Sequence, residues 1–103
     1  FKNAGVAIGT SATTIYTAPA NTTGVIHAIY ISNVDGTNDA TVDITVTDTS
    51  ASATFYILKT VDVPADSTLV IEKPINLEAG DILKALASAT SDLQAFASIL
   101  EIT

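Results

Sequence analysis

The chain has no cysteine, no arginine and no tryptophan, and a single histidine, His27. Without cysteine it can build neither a disulfide framework nor a thiolate metal site, so its stability must come from packing or assembly in any redox compartment. One histidine does not complete a zinc site or an oriented general base, except with scattered carboxylates. Cationic charge is also scarce: four lysines stand against eleven carboxylates, a net charge of −7, and a nucleic-acid backbone would be repelled. No apolar run approaches the ~20 residues of a membrane helix. Phe1-Lys2-Asn3-Ala4-Gly5 lacks the basic-then-apolar order of a signal peptide, and the missing initiator Met reads as trimming or numbering. Neither nucleic acid nor membrane is an expected partner.

What is present is strand-forming. The 103 residues are 48% apolar and 15% charged, a composition that folds around one core. In Asp39–Asp48, apolar Val42, Ile44 and Val46 alternate with Thr41, Asp43, Thr45 and Thr47, the pattern of a strand with one wet face. Turn clusters such as Pro19–Gly24, Asn33–Asp39, Asp48–Ser52, Pro64–Ser67 and Glu78–Asp81 supply fixed or positive φ and side-chain capping between runs of strand length. Strands are expected near 4–8, 13–18, 24–33, 40–48, 53–63, 67–73, 81–88 and 93–102. Eight short strands at this spacing predict an all-β fold, an antiparallel β-sandwich of jelly-roll or Ig-like type. Residues 13–103 form the single sandwich domain and 1–12 an N-terminal arm or edge strand. Val25–Ile31 and Phe55–Leu58 are apolar at both parities, which predicts central strands covered on both faces, the second by a partner subunit if not by the chain. An α-helix over 81–89, rich in Ala and Leu, is the rival assignment there.

Candidate chemistry is sparse. His27 lies in the most apolar run and reads as a packed or interface histidine. Asp35-Gly36-Thr37-Asn38-Asp39, with Asn33 before it, is the densest oxygen cluster, but it lacks EF-hand spacing and reads as a turn whose Asp and Asn bond their own backbone. The carboxylate pairs Asp43 with Asp48 and Glu78 with Asp81 have the residue types of a glycosidase but fall in turns or on a wet strand face. No catalytic residue, metal ligand or cofactor is assigned, and the chain is read as a non-enzyme.

Four phrases in order, Thr14–Thr23, Ile29–Thr37, Val63–Leu69 and Leu77–Ala85, resemble small β-sandwich structural proteins of tailed bacteriophage virions, over residues 13–103. The resemblance implies a virion structural protein and offers no active-site motif to carry over. The expected function is a capsid decoration, or cement, protein that stabilises the head shell. A neck, tail or fibre component is the alternative, and a carbohydrate-binding module the alternative from another class. The expected partner is the major capsid protein or another virion protein, together with copies of the chain as a homo-oligomer, a trimer among the options. The expected location is the capsid surface of a virion assembled in the host cytoplasm. Phe1, Val6, Ile8 and Tyr16 are the expected contact residues, because an apolar segment flanked by Gly5 and Gly9 is not obviously required by the core.

Overall fold

The computed structural model describes residues 1–103 and contains nine strands and no helix. In chain order these are β1 (Lys2–Ile8), β2 (Thr13–Thr17), β3 (Thr23–Asn33), β4 (Ala40–Asp48), β5 (Ala53–Val63), β6 (Thr68–Ile71), β7 (Ile75–Leu77), β8 (Ile82–Ala87) and β9 (Leu93–Ile102). Their pairing is nested. β4 and β5 form a hairpin; outside it β3 pairs with β6 and β7, then β2 with β8, and outermost β1 with β9, all antiparallel. The chain is thus one long folded-back ribbon. Two lateral pairings, β3 with β9 and β4 with β8, join it into sheets ordered β1-β9-β3-β6 (with β7 also on β3) and β2-β8-β4-β5. This is the jelly-roll order of a β-sandwich, with its sixth ribbon strand broken in two at Lys73-Pro74. Proline cannot donate to a ladder and sits where an edge strand tolerates it.

Alternation fills the space between the sheets. Val42 and Ile44 on β4, Leu83, Ala85 and Ala87 on β8, and Leu93, Ala95, Ala97 and Ile99 on β9 point inward and belong to one cluster of 19 buried residues. Each fully buried Leu or Ile stabilises the fold by roughly 1.5–3 kcal/mol relative to exposure. The same period decides residues 82–87 for strand: alternate residues are buried there, and burial at period two outweighs the helix propensity of Ala and Leu.

Two expectations about strand placement resolve differently. β3 is central, between β9 and the β6/β7 pair. Its apolar residues at both parities arise from a register shift between Ile26 and Ala28: Ile26 faces the core before the bulge, Ile29 and Ile31 after it, and His27 is the extra residue. β5, expected to be central and covered on both faces, is instead an edge strand of the second sheet, and Phe55, Tyr56 and Ile57 are exposed. Two register shifts interrupt its pairing with β4, and Thr60 adopts a left-handed φ of 52°. Its backbone N–H donates to Asp43 Oδ1 at 2.6 Å, so the Asp43 carboxylate pins the bulge.

Candidate functional site

The four expected contact residues fall into two environments. Ile8 and Tyr16 are buried members of the core cluster, Val6 packs against that cluster, and Phe1 is 90% exposed. Val6 and Ile8 therefore face the core: the antiparallel register places Val6 opposite Ala95 and Ile8 opposite Leu93, both inward on β9. Phe1 offers the most free surface of the four, with its ring edge against the His27 imidazole at 6.2 Å between centroids, and Val6 is half-buried. His27, expected to be a packed or interface histidine, is exposed because the bulge turns it out of the sheet, so it is not packed within the chain.

Tyr16 occupies the gap between sheets at the end of β2. Gly24 makes room for it: a Cβ there would lie 2.8 Å from Tyr16 Cε2. The phenol donates to Glu101 Oε2 at 2.6 Å, and Lys2 Nζ lies 3.6 Å from the same oxygen. Burial first, and then the Glu101 carboxylate, push the Tyr16 phenol well above its ordinary range. The Tyr16 hydrogen bond, with Lys2 nearby, holds Glu101 below the usual carboxylate range against some desolvation. The group is a structural clamp between sheets.

The oxygen-rich loop is committed to its own backbone. Buried Asn33 donates from Nδ2 to the carbonyls of Asn38 and Val63 and accepts from Asp35 N–H. Asp35 Oδ1 accepts from the Thr37 and Asn38 N–H groups, and these bonds lower its pKa. Across the turn, desolvation and the Asp35 charge raise that of Asp92.

The tertiary fold unites Asp48, Glu78 and Asp81, with carboxylate oxygens within 4.8 Å of one another. Buried Asp81 accepts from the N–H and hydroxyl of Thr49 and from the N–H of Glu78. Asp48 and Glu78 both accept from the Ser50 hydroxyl. Asp43, by contrast, does not join Asp48 but caps the Thr60 bulge. These geometries serve two adjoining turns, 48–52 and 78–81.

Exposed apolar surface gathers in two other places. On the outer face of the β1-β9-β3-β6 sheet, Phe96 and Tyr30 stand beside a shallow depression of about 360 Å³ bordered by Gly5, Ala7, Ser32 and Gln94. Along the open side of the sandwich, where the β5 edge meets the β6/β7 edge, a groove of about 690 Å³ is lined by Ile57, Leu58, Leu69, Val70, Pro74 and Ile75, among others. Sequence reasoning missed this edge by placing Phe55–Leu58 centrally. The available signals were Lys59 and Pro74, residue types that protect strand edges. The tyrosines share no surface: Tyr16 is buried, Tyr30 lies on one outer face, and Tyr56 lies on the other under Lys59, 4.6 Å from its ring centroid.

No protein-family model and no curated protein matches the chain. Among solved structures it is similar to two of a pentameric capsid protein isolated from metagenomic phage sequences, each at 21% identity and a TM-score of 0.48 over 92% of this chain. The chain spans 60% and 59% of the length of those two proteins.

Proposed function

We propose that the chain is a non-enzymatic virion structural protein and, within that class, a capsid decoration protein that binds and stabilises a phage head shell. The observation that carries the reading is the open edge, where Ile57 and Val70 leave apolar surface in water between two sheet edges. It occurs in a chain whose phrases from 13 to 103 resemble tailed-phage virion proteins. Exposed apolar surface on a sandwich edge suits a protein interface. Both strands bordering the groove are interrupted, β5 by bulges and the β6/β7 edge at Pro74, which disfavours strand addition, so the partner packs by side chains.

On this reading the partner is the major capsid protein or a neighbouring virion protein, and the chain assembles as a homo-oligomer, a trimer where the shell site is three-fold. A ligand that binds only the assembled shell stabilises that state by mass action. The copy number per purified virion, relative to the major shell protein, tests the assignment. A ratio near one or a simple fraction of it is expected for decoration, with loss of thermal or osmotic resistance in shells stripped of the chain. A handful of copies at one vertex would assign it to the neck or tail, and none would remove the virion reading.

A further inference from the structure

The outer face of the β1-β9-β3-β6 sheet bears no charged side chain, although the chain carries eleven carboxylates and four lysines. The only charged residues in strands of this sheet, Lys2 and Glu101, pair with each other, and Glu101 also holds Tyr16 on the core side. Register sets one transverse row across the outer face: Gly5 beside Phe96, Phe96 beside Tyr30, Tyr30 beside Val70. The next row is Ala7, Gln94, Ser32 and Thr68. Phe96 lies over Gly5, its Cδ1 3.3 Å from where a Cβ on that glycine would sit. The ring is a knob, and the small residues beside it leave a socket, the depression of about 360 Å³. Knob and socket on one face are what a two-fold interface needs, since the same patch must complement itself.

Charge selects the occupant. At −7 per chain, two copies repel wherever carboxylates meet, and the opposite outer face carries Asp43 and Lys84. The uncharged face lets two copies approach without burying an unpaired carboxylate. Its size is also sufficient. Four rows of strands about 4.8 Å apart, the longest of eleven residues, give roughly 500–600 Å² of flat surface per copy. The pair then buries about 1,100 Å², just above the ~1,000 Å² expected of a specific interface.

We propose that this face is a two-fold interface between two copies of the chain, with Phe96 and Tyr30 of each seated in the socket of the other. The pairing does not rest on the virion reading, and apart from Val70, which borders both surfaces, it leaves the open edge free for another partner or for a ring of copies.

Sedimentation of the purified chain over a range of concentrations tests it. The assembly mass is expected to be an even multiple of the chain mass. Phe96→Glu in the knob and Ala7→Glu in the socket should each halve it, while Tyr56→Glu on the opposite face leaves it unchanged. Both knob and socket positions are solvent-exposed, and circular dichroism melts check that the variants fold; if Phe96→Glu does not, Ala7→Glu decides. A single-chain or odd-multiple mass at every concentration overturns the proposal, as does a mass that the two variants leave unchanged or that Tyr56→Glu lowers equally. A monomer whose Phe96→Glu variant loses binding to shells would assign the face to the shell and also overturn it.

Discussion

The Tyr16 hydroxyl reaches across the sandwich to Glu101 at 2.6 Å, joining β2 of one sheet to β9 of the other. Its neighbours share the geometry: Gly24 yields the space, and Lys2 balances the charge. A short hydrogen bond to an ionised acceptor is among the stronger kinds, and this one ties together strands that share no ladder.

The clamp predicts a pH profile. Glu101 titrates lower in the folded chain than in the unfolded one, so its contribution is complete above the ordinary glutamate value and is lost as pH falls through its depressed folded value. Tyr16 titrates higher when folded, so its contribution is complete below the ordinary tyrosine value and is lost as pH rises through its raised one. Tyr16→Phe is expected to lower Tm by several degrees at pH 7, with the difference from wild type shrinking as pH falls well below about 4.5. Thermal melts from pH 3 to pH 8 check this; a difference independent of pH would detach Glu101 from the clamp.

Gly24→Ala is expected to destabilise by roughly 1–3 kcal/mol, the usual cost of overpacking. The added methyl would meet the Tyr16 ring at 2.8 Å, forcing the ring off Glu101. In the Tyr16→Phe background the two losses should be less than additive, which a double-mutant cycle by denaturant unfolding measures.

Asn33→Ala removes two donors and an acceptor from a buried site. The Val63 and Asn38 carbonyls would lose this donor, and a cost of about 2–4 kcal/mol is expected. Asn33→Asp keeps the acceptor but sets a carboxylate oxygen against the Asn38 and Val63 carbonyls in a buried site, and should cost at least as much in the same unfolding assay.

Thr60→Gly tests the strain at the β5 bulge. A β-branched residue at φ 52° costs on the order of 1–2 kcal/mol, partly offset by the entropy of the new glycine. A net gain of roughly 0.5–1 kcal/mol is expected. A loss would mean that the threonine side chain contributes more than its backbone costs.

Ile57→Glu addresses the open edge. The residue is 40% exposed, so stability should change little, whereas binding to shells should weaken roughly tenfold or more if this edge is the contact. Binding of the folded variant to stripped particles provides the measurement.

The strand pattern was legible because period two and turn chemistry agree along most of the chain. The alternating stretch expected at 40–48 is β4, and the expected 53–63 and 93–102 match β5 and β9. Position within the sheets was harder to read. Phe55–Leu58 looks like a buried run, yet it lies on an edge, because apolar content does not distinguish a strand covered by its own chain from one left for a partner. The outward turn of His27 was hidden for a related reason: a bulge reverses parity without any glycine or proline to announce it. Pro74 announces the break after β6, but β7 at three residues is too short for periodicity to detect. The carboxylate trio of Asp48, Glu78 and Asp81 depends on two turns meeting in space, which sequence spacing does not encode.

The nested ribbon also sets an order of assembly. The β4–β5 hairpin closes across residues 49–52, while the outermost pair brings Lys2 opposite Ile99. Each successive pairing spans a longer loop, whose closure entropy is recovered only once the inner pairs have formed. The chain should therefore zip from its middle toward its two ends, with the slow kinetics of long-range β topology. β1, whose only ladder is with β9, should dock last, and its amides should exchange with solvent long before those of β3 and β4.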